Sequence, residues 1–548
     1  MIFSFLLALA GSLPLLSRYH FDEGWYTNAA IEMVLTGDLL TPKYADGTAR
    51  FRKPILTYWV LATSYAALGI SLFSSRLPFL LAGACTLWIA YRMAWAATQD
   101  RSTGILAAAI LASNIQFMES ATKSTPDILQ CLFITISLWG AVELLLNGRR
   151  ESRWYACLYL GAGLGIATKG LLPLLLIGFV WSFSRWFPSP ASPSVGLMHR
   201  GWLLTGAVLA SSGFLGMLLI RGPEALSTMF EDQIGERLEG AHTFVLTNLL
   251  LYVLTPVRFF APWLLILAAL IAARRAAMVA YYRSHRRLIW FVLGWLALNI
   301  VVFSLGNLMR TRYLLPAYPL LALLLAHVMQ HLLRSDALNA LASRITRWLF
   351  LAGIGIGIVV ALTGTRLDAR VAVGGILLAA FLTILYVLAF RRRMIPIMIA
   401  LSLGIMATFA SLEQFLKPMI ITSPAADITS RLLQMSPLSE SIAAVGLRPS
   451  VVNQIRLLSG GKIVLKEIRE EAGQEALYRF QLILGSRRIQ QAFAGSSGYV
   501  SEECGVAHPP LDMADLWTIF TTGDRDRVLE KDRKPYYLIR RQVASAKS

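Results

Sequence analysis

Apolar runs of about twenty residues recur along this chain, and each is long enough to cross about 30 Å of hydrocarbon as a helix. With 56% hydrophobic and only 15% charged residues and a mean hydropathy of +0.58, a chain of 548 residues cannot hide those runs in a water-soluble core. Inside lipid every backbone polar group must be satisfied internally, so the runs read as helices. The expected fold class is a polytopic α-helical membrane protein. Spans are predicted near 1–17, 75–97, 103–119, 126–147, 154–168, 170–187, 202–220, 254–274, 288–305, 312–333, 345–364, 371–390 and 394–412, about thirteen in all, an odd number that puts the termini on opposite sides. The opening "MIFSFLLALAGSLPLL" has neither a basic start nor a small-residue cleavage pattern, which favours a retained first span over a removed signal peptide. Cys85, Cys131, Cys157 and Cys504 show no metal or disulfide spacing.

Charge sets the expected orientation. The short connections "GRRESR" at 148–153, "RRAAMVAYYRSHRR" at 274–287 and "RRR" at 391–393 fall on the side of the N-terminus and are densely basic, which marks that side as cytoplasmic. Residues 413–548 carry 18 Lys+Arg and 15 Asp+Glu, so nearly all of the net charge of +19 sits on the helical part. It reads as a topology signal with some attraction to anionic lipid, and gives no reason to invoke nucleic acid. The chain is therefore divided into a transmembrane domain over 1–412, with an external loop at 18–74, and a small external α/β domain over 413–548. In the latter, "KIVLKEI", "YRFQLIL" and "KPYYLIRR" read as strands. Within 18–74, "WYTNAAIEMVLTG" reads as an interfacial helix stopped by Gly37.

With sides assigned, the out-of-place polar residues converge. Asp22, Glu23, Arg52 and Lys53 lie in the first external loop; Asp127 opens the fourth span; Lys169 sits in an external turn; His242, Arg310, Arg312 and Tyr313 also fall on the external face. Singly, each has a plain explanation. Asp127 suits the first turn of a helix after Pro126; Lys169, Arg52 and Arg312 would snorkel to headgroups; His242 would be a surface histidine; Tyr313 would be an aromatic-belt residue; Asp22 and Glu23 would cap the interfacial helix. Their convergence on one face is what those readings leave over. Carboxylates among cations at a bilayer surface suit an anionic, lipid-linked substrate: Lys and Arg neutralise a phosphate while an Asp acts as base or orients a nucleophile.

The motifs "DEGWY", "GDLLTP", "RFRKPILTYW", "GLGIATKGLLPLL" and "FSLGNLMRTRYLLPAYPLLALL", in that order from the first span to about residue 330, resemble the protein O-mannosyltransferase and aminoarabinose-transferase (ArnT-like) family of GT-C glycosyltransferases. The resemblance implies a GT-C fold in a bacterial inner membrane, with the active site and C-terminal domain in the periplasm. It implies transfer of a sugar from a polyprenyl (undecaprenyl) phosphate carrier to lipid A, another glycan or a protein. By position, Asp22 would be the principal catalytic acid with Asp127 its partner and Glu23 beside it. Lys53 and Tyr313 would hold the donor phosphate, joined by Arg52, Arg312 and Lys169. His242 matches a histidine that shares a divalent metal ion with a family Glu, but Arg52 stands where that Glu would be, and a guanidinium is no metal ligand. The family Arg three residues after the catalytic Asp is replaced by Trp25. A protein O-mannosyltransferase proper is the nearest rival; a lipid or sugar transporter is another, which would place ionisable groups near the midplane and repeat its halves.

Overall fold

The computed structural model describes the chain apart from residues 45–47, 51, 189–195, 223–244, 307–308, 391–393, 436–441, 469–476, 495, 497, most of 508–532, and 542–548. The helical part begins with α1 (Ile2–Ala10), α2 (Phe21–Thr36), α3 (Leu56–Leu68), α4 (Leu72–Thr98), α5 (Arg101–Ala112), α6 (Ile115–Ala121) and α7 (Pro126–Leu145). It continues with α8 (Ser152–Lys169), α9 (Leu172–Trp186), α10 (Arg200–Arg221), α11 (Val245–Phe259), α12 (Ala261–Ala273) and α13 (Arg275–Ser304). A 3₁₀ turn (Thr311–Ala317) then leads into α14 (Tyr318–Leu332), followed by α15 (Asp336–Leu367), α16 (Ala369–Ala389) and α17 (Met394–Ser411).

Each predicted span overlaps helix, although 1–17 is α-helical only over Ile2–Ala10. Among the described residues, seven helices are long and apolar enough to cross a membrane, and two bent pairs raise the number to nine. The remaining four expected runs form α1, α8, α9 and α10, of which α1 has only 9 residues before Gly11 caps it. The bends are sharp. α5 and α6 meet at 72° and α11 and α12 at 88°, and each break has a local cause: Asn114 caps α6 by accepting from the Phe117 amide, and Pro262 opens α12. The basic segment 274–287, expected as a loop, is instead the first part of α13, which leaves helical geometry only at His285 (φ −120°, ψ 18°).

The expected interfacial helix is α2, ended by Gly37 in the left-handed region at φ 73°. It lies beneath the C-terminal domain, where α18 (Ala425–Gln434), α19 (Pro449–Leu458) and α20 (Arg487–Phe493) accompany strands β1 (Ile442–Val445), β2 (Leu465–Ile468), β3 (Leu482–Ser486), β4 (Tyr499–Ala507) and β5 (Lys534–Arg541). The sheet order is β2-β1-β3-β5-β4, parallel across β2-β1-β3 and antiparallel across β3-β5-β4. Three of these strands were legible; β1 and β4 were not. β1 reads "IAAV", with a central Ala pair of low strand preference, and β4 is an edge whose Ser501 and Glu502 face solvent.

The domain is joined to α2 side chain by side chain. Asn28 donates to Asn453 of α19, Arg456 pairs with Glu32, and Ile31 and Leu35 reach Gly461. Gly24 makes the close approach possible, since a Cβ there would lie 2.1 Å from the Asn453 amide nitrogen. Gly24→Ala should therefore weaken the docking by about 1–3 kcal/mol, the usual cost of overpacking a tight contact. The check is a thermal melt of detergent-purified Gly24→Ala beside wild type; an unchanged melting temperature would mean that Asn453 yields at no cost.

Candidate active site

The site is built on a fully buried ion pair. Glu23 has side-chain exposure of 1% and Arg76 of 0%. Arg76 Nε and Nη2 donate to the two Glu23 oxygens at 2.9 and 3.1 Å, and Arg76 Nη1 donates to the carbonyls of Leu13 and Leu15 at 2.8 and 2.9 Å. Glu23 also accepts from the amides of His20 at 2.9 Å and Ser124 at 3.0 Å. One carboxylate thus fastens the start of α2, the start of α4, the end of the first apolar run and the turn before α7. Burial alone raises its pKa, but the Arg76 guanidinium outweighs that and, with the backbone donors, holds it below its ordinary range. Both oxygens of Glu23, expected among the catalytic groups, are spent on these partners, a geometry that suits holding its neighbours in position.

Those neighbours are the two aspartates. Asp22 is two residues on from the α2 cap and projects roughly 100° away from Glu23 around the helix, which leaves it 18% exposed. The cap is His20, whose Nδ1 accepts from the Asp22 amide at 3.2 Å. Burial, together with nearby Lys123, lowers the His20 pKa, so the ring stays neutral and able to accept. Asp127, the second residue of α7, is only 2% exposed and pairs with Lys169. Lys169 ends α8 because Gly170 (φ 123°) turns the chain out of the helix. Its ammonium also stands 4.8 Å from the Tyr313 ring centroid.

Arg312 joins the two halves. It pairs with Asp22, and its Nε lies 3.6 Å from Asp127 Oδ1. The 3₁₀ turn that carries it is seated by Thr311, which donates to Gln116 on α6 at 2.7 Å, and by the Arg310 amide donating to Tyr252 at 3.0 Å. The structure therefore brings together Asp22, Asp127, Lys169, Arg312 and Tyr313. Lys169 and Arg312, expected beside a phosphate, here neutralise the acids, and the four charges balance. Arg52 and Lys53 lie in the turn before α3, the first exposed and the second half-buried. α3 is tied to the site by Thr57 donating to the Thr168 carbonyl at 3.2 Å, one residue before Lys169. His242 lies outside the described residues, among which no group of three His, Cys, Asp or Glu is placed to hold a metal ion.

Sequence reasoning missed Arg76 and Arg50. An arginine inside the run 75–97 was the signal for the first, because a cation at that depth demands a partner. Arg50, 6% exposed, sits within a ring of aromatics, 5.7 Å from the Trp25 centroid and 5.5, 5.6 and 6.0 Å from those of Tyr26, Tyr44 and Tyr58. It donates to the Tyr58 hydroxyl, while its Nε has no hydrogen-bond partner. A buried cation thus stands over Trp25.

If Glu23 is the clamp, Glu23→Gln should cost about 3–5 kcal/mol, because Arg76 is left as an unpaired buried charge. The sign with pH follows from the depressed folded value: the stabilisation is complete above the ordinary carboxylate value of 4.5 and is lost as pH falls through the lower folded value. Melting curves of wild type and Glu23→Gln should therefore be widely separated at pH 7 and draw together below pH 4.5.

Residues 52–212 match the family model described as dolichyl-phosphate-mannose-protein mannosyltransferase. An uncharacterized protein of Aquifex aeolicus is 26% identical over 337 residues, 60% of this chain and 64% of that protein. The undecaprenyl phosphate-alpha-4-amino-4-deoxy-L-arabinose arabinosyl transferase of Pseudomonas paraeruginosa is 28% identical over 330 residues, 58% of this chain and 57% of that protein. The chain thus spans less than two thirds of the length of these relatives. Over nearly its whole length it shares a fold with ArnT from Cupriavidus metallidurans bound to undecaprenyl phosphate, with a TM-score of 0.68 at 16% identity, covering 99% of this chain and 98% of that one. The apo form of the same protein gives a TM-score of 0.67 at 18% identity, covering 98% of this chain and 96% of that one. By sequence match and shared fold together, this polytopic membrane protein resembles the ArnT-like and protein O-mannosyltransferase (PMT) families of GT-C glycosyltransferases.

Proposed function

We propose that the chain is a glycosyltransferase that takes a sugar from a polyprenyl phosphate carrier and passes it to an acceptor such as lipid A, another glycan or a protein. The observation that carries the reading is the pair of aspartates of unequal access at one end of the helices: Asp127 buried against Lys169, Asp22 partly open beside Arg312. The substrate class is supported by the arabinosyl transferase relatives, whose names specify an undecaprenyl phosphate donor. In this reading Asp22 takes the proton of the acceptor hydroxyl as its oxygen bonds to the anomeric carbon. The bond from that carbon to the phosphate oxygen breaks, and polyprenyl phosphate leaves. Asp127, fixed by Lys169, holds Arg312 in place, and Arg312 orients Asp22. Lys53 and Tyr313 hold the phosphate, with Arg52 beside them. No step needs the divalent metal suggested by His242, since Arg52 stands where the second ligand would be.

The runner-up, a protein O-mannosyltransferase acting on exported proteins, draws on the family match at residues 52–212. A transporter fits less well, because the ionised pairs gather where α2, α4, α7 and α8 begin or end and not at mid-span.

Asp22→Asn separates chemistry from capping. Asn preserves shape and hydrogen-bonding capacity, so a purely structural Asp22 would leave turnover unchanged; loss of a general base costs about 10²–10⁴-fold in rate. We expect sugar transfer by the purified variant to fall by that factor while binding of polyprenyl phosphate sugar persists, because the phosphate is assigned to Lys53 and Tyr313. Wild-type turnover would remove the mechanism.

The same reading sets a topology: thirteen spans in a bacterial inner membrane, with residues 18–74, the acids and the domain at 413–548 all facing the periplasm. Thr48→Cys and Ser430→Cys, both at exposed positions and made in a background without the native cysteines, should both react with an impermeant thiol reagent added to intact spheroplasts. Protection of either until the membrane is opened would split the site from its substrate.

A further inference from the structure

At the far end of the bundle from Asp22, the helices leave a partly open cavity. The stretch Thr311–Leu332 has 22 residues, so Gln330 and Arg334 stand about 30 Å from Arg312 along the helix axis. There the ends of α5, α14, α15, α16 and α17 surround a cavity of about 620 Å³, within the range of small-molecule sites. Its wall is apolar, with Leu106 and Ile397 buried and Phe390 beside them. Its mouth is not. Arg334 and Asp336 are exposed there, and neither closes an ion pair with another described residue. One helical turn further in, Asn339 Oδ1 is buried without a hydrogen-bond partner.

A buried acceptor left unpaired costs about 1–3 kcal/mol unless something donates to it. Asp336 and Asn339 lie three residues apart on one face of α15, so a cation donating to Asn339 Oδ1 would also meet the Asp336 carboxylate. Arg334, two residues earlier, asks for an anion instead. The mouth therefore presents opposite demands side by side, over an apolar wall. We propose that this cavity binds a phospholipid whose headgroup carries an ammonium, with its phosphate on Arg334, its ammonium between Asp336 and Asn339 Oδ1, and an acyl chain along Leu106, Phe390 and Ile397. A wholly anionic headgroup would place its charge against Asp336 and leave the Asn339 oxygen unpaired. Pockets with cationic residues between spans are established headgroup sites; the acid is what makes this one select a zwitterion. The inference does not depend on the transfer reaction.

Native mass spectrometry of the full chain in detergent tests it, with phosphatidylethanolamine and phosphatidylglycerol added in turn. Wild type should retain phosphatidylethanolamine about tenfold more strongly, the worth of one charge-assisted hydrogen bond. Asp336→Asn should erase that preference, and Arg334→Gln should weaken retention of both lipids; both positions are exposed, and unchanged melting temperatures would verify the fold. Equal retention of the two lipids by wild type would mean non-selective annular lipid and overturn the proposal. So would tighter binding of phosphatidylglycerol that depends on Arg334 but is indifferent to Asp336, which would make the cavity an anionic-lipid site.

Discussion

The Glu23–Arg76 pair is the constraint from which the site follows. Taking both charges out of water is costly, and the arrangement is sustained because each is also satisfied by backbone groups: Glu23 by two amides, Arg76 by two carbonyls. Those four backbone partners come from two separate parts of the chain, 13–20 and 124. Fixing them fixes where α2 starts and where α7 starts, and Asp22 and Asp127 are the first acids after those two points. The pair therefore works as a spacer between the two aspartates.

The two aspartates are neutralised by Lys169 and Arg312, which bears on how a phosphate would be received. Lys169 and Arg312 are engaged by carboxylates, so they shape the potential of the pocket more than they add free positive charge. Under the proposed reaction this division is useful. Cations tied to the acids hold them in place, and the turn at 52–53 is assigned to the donor.

Much of this was legible in the residues. Apolarity alone located the helices, since length and hydropathy are read directly, and Gly37 correctly marked the end of α2. Direction was not legible: Asn114 and Pro262 mark where the runs can break, but carry no sign that the chain turns by 72° at the first and 88° at the second, and the turn at Asn114 brings Gln116 to Thr311 and Ser124 to Glu23. Adjacent acids in "FDEGW" look interchangeable in a one-dimensional string, whereas the helix turns one inward and the other toward the opening. The basic stretch 274–287 misled because its arginines suit a connecting loop as well as the polar start of a long helix. β1 is only four residues with an Ala pair at its centre, and β4 carries Ser501, Glu502 and Glu503 in its middle, so neither advertises a strand.

The contact between Gly24 and Asn453 ties a residue beside the buried acid to one 429 positions later in the sequence. Neither position can drift alone. A larger side chain at 24 is tolerable only if 453 shrinks, so the two should change together over evolutionary time, and chains lacking the sheet domain should be released from glycine at this point of α2. The sheet domain is in that sense inherited with the acidic helix as one unit, and exchanging it between relatives would require carrying the first turns of α2 along with it.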